Sequence, residues 1–208
     1  MIRYQDLDID KGKRAILAML ELSTKKEIDA GRQWYSIAHN FARAIAQNYG
    51  IDIARSAGII AALSPGVDWH KNQIDTIRVL ESGNDAIVST YGRNKQKAIG
   101  ILSGALQCPG ALGTKKTFAF WHNITRPDDI TRVTIDRHAA RVAWGVTLHP
   151  DAAIKYANTD AKYRASEKAY ILAASDAGIL PHQLQAIVWL AYRRLYVTRK
   201  GTRHHLEY

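Results

Sequence analysis

The spacing of apolar residues constrains this chain more than any other feature: it keeps the period of a helix almost from end to end. Over residues 30–48, Trp34, Ile37, Ala38, Phe41, Ala42 and Ile45 recur at i, i+3, i+4 and i+7, which lines one face of a helix. Gly50 stops that run. Upstream, Ile16, Leu17, Met19 and Leu20 fall at the same spacing. Residues 52–63 are small and apolar on all sides, which predicts a buried helix ending at Ser64-Pro65-Gly66. Asp68 is placed to cap the next helix, with Ile74, Ile77 and Leu80 as its apolar face and Gly83 as its stop. A further helix is expected from about Asn94 to Leu106, then a tight turn over Cys108–Gly113, with Thr114 as N-cap of the helix that follows. Pro127-Asp128-Asp129 reads as a loop, and two long helices are expected at about 160–177 and 181–197. Only Val133-Thr134-Ile135 reads as extended. The reading is all-α: one domain of 208 residues built as two closely packed helical lobes, with a polar, basic tail at about 199–208.

Charge narrows the partners. Lys and Arg number 29 against 19 Asp and Glu, a formal charge of +10. Such a balance points to a polyanionic partner, most simply nucleic acid, with a merely soluble basic protein as the plainer alternative. Cys108 is the one cysteine, which excludes an intramolecular disulfide and a four-cysteine zinc or iron–sulfur site. His70, His122 and His149 are scattered, with no HExxH-like spacing, so neither a metal nor another cofactor is expected. No apolar run reaches the ~18–20 residues of a membrane span and no signal-peptide pattern opens the chain, so the expected place is the cytoplasm, away from membranes. There is no P-loop, GxSxG or GxGxxG.

Three stretches carry chemistry beside a plainer reading. In PGALGTKK, Gly110 and Gly113 let a phosphate approach the backbone, and the next helix adds unpaired N–H groups with Lys115 and Lys116 beside them. The plainer reading is an ordinary helix–helix turn. In TIDRHAARVAW, Asp136 is either an N-cap or a catalytic base or electrostatic stabiliser, and the roles are compatible. His138 and Arg141, one turn apart, would face a phosphate or a base; otherwise they are surface residues. In LSPGVDWH, Trp69 would stack on a base or wedge into a duplex; otherwise it is core.

The order of these pieces resembles the helix-hairpin-helix DNA glycosylase superfamily, which includes endonuclease III. Ala62-Leu63-Ser64-Pro65-Gly66 stands where the family has its Leu-Ser-x-Gln loop, and Gly92 followed by Lys97-Ala98-Ile99 matches its Gly-rich bend and Lys-Ala pair. Pro109-Gly110-Ala111-Leu112-Gly113-Thr114-Lys115 looks like the hairpin, Leu-Pro-Gly-Val-Gly-x-Lys in the family. Ile135-Asp136-Arg137-His138-Ala139-Ala140-Arg141-Val142 matches its catalytic Val-Asp-Thr-His-Val-x-Arg-Val at the Asp, His, Arg and final Val. The likeness covers roughly residues 50–195. It departs at Ala111, which replaces a hairpin glycine, at Pro65-Gly66, which replaces the gap-filling Gln, and at Arg137, which replaces Thr.

The resemblance implies a two-lobed glycosylase-like fold, with a hairpin over about 94–123, that binds duplex DNA carrying a damaged or modified base. It implies Asp136 as catalytic carboxylate and Lys115 or Lys116 at the position of the Schiff-base lysine of the bifunctional enzymes. Ser64, Trp69, Lys97, Gly110, Gly113, Thr114, Arg137, His138 and Arg141 would contact DNA. The family's iron–sulfur cluster cannot form with one cysteine. The leading expectation is a base-excision enzyme, with or without lyase activity, in bacterial or phage-infected cytoplasm. The alternatives are a transferase that modifies a base on the same fold, as in phage thymine decoration, and a DNA-binding protein without turnover.

Overall fold

Four helices begin on an aspartate that accepts orphaned backbone N–H groups of the first turn, which is why the chain breaks into helices where it does. Asp8 accepts from Lys11 N, Asp52 from Arg55 N, Asp68 from Lys71 N, and Asp136 from His138 N and Ala139 N. The structure, a computed structural model, describes residues 8–197; the basic tail at about 199–208 lies outside the described residues. Ten α-helices are found among them: α1 (Ile9–Glu21), α2 (Lys25–Tyr49), α3 (Ile53–Leu63), α4 (Trp69–Ser82), α5 (Gly92–Ser103), α6 (Lys116–Thr125), α7 (Arg137–Trp144), α8 (Pro150–Asn158), α9 (Asp160–Ala177) and α10 (Pro181–Tyr192). No strand occurs among the described residues, and no helix there is long and apolar enough to cross a membrane.

The chain forms two compact units. One comprises residues up to Tyr35 together with those from Asp128 on; the other is Ser36–Pro127. In the first, α9 and α10 pack with α1 and α7, and α8 lies against α7 and α9. Glycine permits two of the closest approaches. A Cβ at Gly12 would sit 3.2 Å from Ala169 Cβ, and one at Gly31 would run into the backbone and side chain of Ile187. In the second unit α3 is the centre. Residues 56–63 are all buried, and both α5 and α6 pack on α3, as its uniformly small and apolar sequence requires.

Several sequence expectations need correcting. The buried face of α2 runs through Gly31, Tyr35, Ala38, Ala42 and Ile45, while Ile37 is 52% exposed. The helix also starts earlier than residue 30. Thr24 and Glu27 form a reciprocal cap there: Thr24 N donates to Glu27 Oε2 at 2.8 Å and Glu27 N to Thr24 Oγ1 at 3.3 Å. On α4 the buried residues are Asn72, Asp75, Thr76 and Val79, with Ile74 exposed. Most polar groups of that face have partners, although the buried Asn72 Oδ1 has none among the described residues. Asp75 accepts from Ser89 N at 2.7 Å, Asn72 Nδ2 donates to Ile60 O, and Thr76 Oγ1 donates to Asn72 O. α5 spans Gly92–Ser103, because left-handed Gly104 (φ +82°) ends it before Leu106. The last helix ends at Tyr192 and gives way to a π-helical turn over Arg193–Val197.

Val133-Thr134-Ile135, expected to be extended, is buried and belongs to no helix or strand among the described residues. Side chains take its polar groups instead. Glu167 Oε1 accepts from Val133 N at 3.2 Å, the Tyr163 hydroxyl donates to Val133 O at 3.0 Å, and the Tyr35 hydroxyl donates to Thr134 Oγ1 at 2.9 Å. Glu167 is buried and paired with Arg132 and Arg164.

Candidate functional site

The pegged segment delivers Asp136 to the start of α7, where its backbone is extended (φ −98°, ψ −177°). Its Oδ1 accepts from His138 N at 2.9 Å and from Ala139 N at 2.7 Å. Its Oδ2 accepts from the indole N–H of Trp189, on α10, at 3.2 Å. The capping role read from the sequence is therefore present, and the carboxylate is held at both oxygens. Because α7 is apolar on the side that meets α1, α9 and α10, with Ala139, Ala140, Val142 and Ala143 buried, Asp136 stands at a half-buried edge.

Cations and rings surround it. His138 packs edge-on to Trp189, with ring centroids 6.5 Å apart, and lies 5.4 Å from the ring of Tyr192. The guanidinium of Arg193 lies over the Trp189 ring at 4.6 Å. Arg137 is exposed, and its Nε donates to His138 Nε2 at 3.4 Å. With Nε2 accepting, a neutral imidazole carries its proton on Nδ1, which is buried without a hydrogen-bond partner. Burial holds this imidazole below the ordinary value of 6.5; Asp136 pulls it up, while Arg137, Arg193 and Arg141 push it down. Arg141 is less available than the sequence suggested. Its Nε donates to Leu148 O at 2.9 Å and its Nη1 to the Tyr192 hydroxyl at 3.1 Å, so it braces α7 against neighbouring backbone and α10. Tyr170, on α9, donates to Ala139 O, and burial first and then Asp136 raise its hydroxyl well above the usual range.

The other sequence-derived candidates lie in the second unit. Gly110 falls in a short 3₁₀ turn, Gly110–Leu112, followed by Gly113 at φ +74°, ψ −151°. Both glycines are exposed, and a Cβ on either would meet nothing within 4 Å, so the backbone there has open space beside it. Thr114 is not the cap of α6. Gly113 turns the chain so that Lys115 takes the cap position and α6 starts at Lys116, leaving Thr114 one residue outside. Lys115, Lys116 and, on α5, Lys97 are half-buried. Ser64 caps the end of α3, its Oγ donating to Ala61 O at 2.9 Å. The loop it opens is tied down by Thr90, whose Oγ1 donates to Pro65 O at 2.7 Å. Trp69 is half-buried and packs edge-to-face on Phe41, with centroids 5.7 Å apart. Burial pushes the Cys108 thiol up to about 11, and Sγ lies against Gly58, so it is packing rather than a nucleophile. Among the described residues, no group of three or more His, Cys, Asp or Glu side chains is gathered as metal ligands would be.

Trp189, Tyr192 and Arg193 escaped the sequence reading. Their signal was weak: two aromatics on the last helix and a cation just after it, 53 residues from Asp136 in the case of Trp189.

Fold and site together define an all-α protein with a helix-capping acid set among arginines and aromatic rings. The chain belongs to a family of unknown function (DUF7178), whose profile matches residues 2–195. No curated protein and no solved structure matches it.

Proposed function

We propose that this protein is a DNA-binding enzyme of the helix-hairpin-helix glycosylase type that acts on a base turned out of the duplex, with Asp136 as the carboxylate facing the sugar. The observation that carries this reading is the fixing of Asp136 by two α7 amides and the Trp189 indole, beside Arg137, His138 and Arg193. A preorganised carboxylate stabilises positive charge developing at C1′ as a base departs, and activates the water or amine that attacks there. The arginines and the +10 charge favour sequence-tolerant phosphate contact. The exposed backbone at Gly110 and Gly113, beside Lys115 and Lys116, suits a phosphate, and either lysine is the candidate Schiff-base nucleophile.

The test is incubation with duplexes carrying a panel of damaged and modified bases, followed by mass analysis of the free bases and of the strand. Release of a base by the wild type, and its loss in Asp136→Asn by a hundredfold or so, supports excision. Asn keeps the α7 cap nearly as well as Asp, but its NH2 cannot accept the Trp189 indole N–H, so the stability lost should be about that of one hydrogen bond, about 0.5–1.5 kcal/mol. A base altered but retained in the strand would replace excision by group transfer. Normal turnover by a folded Asp136→Asn protein would remove Asp136 from the active site. Borohydride trapping on a processed strand reports whether a lysine attacks.

A further inference from the structure

The two oxygens of Asp136 are held by different means. Oδ1 belongs to the cap of α7 and takes two backbone N–H groups. Oδ2 has one hydrogen-bond partner among the described residues, the Trp189 indole. A cap needs only one oxygen. The second contact spans 53 residues and is made by a group with no role in starting the helix. The donor's chemistry is also particular. Arg137, Arg141 and Arg193 all lie close enough to act on His138 electrostatically, yet the group touching Oδ2 is the neutral indole. An arginine there would fix the carboxylate and also offset its charge. An indole N–H is donor-only and cannot ionise, so it aims the oxygen and leaves the negative charge in place. The ring is itself fixed: Arg193 covers one face at 4.6 Å, and His138 meets it edge-on.

We infer that Trp189 is a positioning residue for the Asp136 carboxylate, fixing the direction of Oδ2 without neutralising it. The inference rests on the proposed role of Asp136 for its catalytic meaning and on the hydrogen bond alone for its structural one. The groups that share this environment are Arg137, His138 and Arg141 on α7, Tyr170 on α9, and Tyr192 and Arg193 at the end of α10.

The decisive variant is Trp189→Phe, which keeps an aromatic face for Arg193 and deletes the N–H. Two measurements are made on it. The first is the amide resonances of His138 and Ala139 and their hydrogen-exchange rates, which report how Oδ1 is held. With Oδ2 released the carboxylate rotates, so both amides move upfield and exchange at least several-fold faster, while amides elsewhere in α9 and α10 keep their wild-type rates. The second is single-turnover rate against affinity on whichever duplex the wild type processes: the rate falls about tenfold and Kd stays. As a control on the wild-type fold, the Trp189 indole N–H resonance must move in Asp136→Ala.

Unchanged His138 and Ala139 amides in Trp189→Phe overturn the inference whatever DNA does. So does an indole resonance indifferent to Asp136→Ala, a measurement that needs no change at Trp189. A full wild-type rate in a variant whose amides have shifted overturns its catalytic meaning. Shifted amides in a protein that processes no duplex at all leave Trp189 as the group that aims Asp136 and sink the DNA reading instead.

Discussion

Arg194 grips Glu27 from 167 residues away, with Nε 2.7 Å from Oε1 and Nη2 3.1 Å from Oε2. Glu27 is the third residue of α2 and also closes that helix's cap with Thr24, so one buried carboxylate ties the start of α2 to the turn after α10. Burial pushes the Glu27 carboxyl up, but hydrogen bonds from Arg194 and Thr24 outweigh it and hold the group below the ordinary 4.5. A carboxyl depressed in the fold contributes stability that is present above pH 4.5 and lost as the pH falls through its folded value. Glu27→Gln is expected to cost about 1–2 kcal/mol at neutral pH. Denaturant titrations should show the variant losing less on acidification than the wild type does.

His138 acts in the same direction but over a higher pH window. Its imidazole is held below 6.5 in the fold, so the unfolded chain takes up a proton that the native state refuses. The contribution of His138 to stability is full above pH 6.5, declines as the pH drops through that value, and levels off below the folded-state value. The free-energy difference between wild type and His138→Gln, followed from about pH 8 to pH 5, should narrow toward the acid end. Parallel curves would show that the imidazole titrates in the fold as it does in the open chain.

Gly110 and Gly113 should respond differently to alanine although open space surrounds both. Gly113 has φ +74° and ψ −151°, a region essentially reserved for glycine, whereas Gly110 has no positive φ. Gly113→Ala is expected to cost about 1–3 kcal/mol, and Gly110→Ala to stay within about 0.5 kcal/mol of wild type. Thermal melting of the two variants side by side checks this.

If the turn before α6 meets phosphate, the double variant Lys115→Glu, Lys116→Glu weakens binding to every duplex alike and lowers the slope of log affinity against log salt by roughly two. Filter-binding or anisotropy at several salt concentrations measures it. A loss confined to one sequence would mean that these lysines read bases.

Much of this organisation is legible in the sequence because helix period and capping chemistry are local. The Ala- and Ile-rich run at 53–63 could only be a buried helix, and Asp136 before an apolar segment announced its cap. The Thr24-x-x-Glu27 signature was equally local and equally readable, and would have put the start of α2 at residue 25. What a stripe of apolar residues cannot report is a polar face that turns inward. Asn72, Asp75 and Thr76 are buried because Ile60 O, Ser89 and the helix's own backbone receive them, partners that a one-dimensional pattern does not contain. The same holds at the site. The acid could be found from its neighbours in sequence, whereas the indole that faces it comes from a helix whose own pattern records only packing.

The segment Val133–Ile135 works as a ruler of fixed length. A strand in a sheet that gains or loses two residues finds an equivalent ladder and the same face. This one hangs on three separate side chains: Tyr35 meets the Thr134 hydroxyl, Glu167 the Val133 N–H, and the Tyr163 hydroxyl both Val133 O and Ile135 N. Neither an insertion nor a deletion between Arg132 and Asp136 has an equivalent register to fall into. The distance from the buried Glu167 ion pairs to the first turn of α7 is thereby set by the count of residues alone. Length variation among relatives belongs on either side of this stretch and not within it.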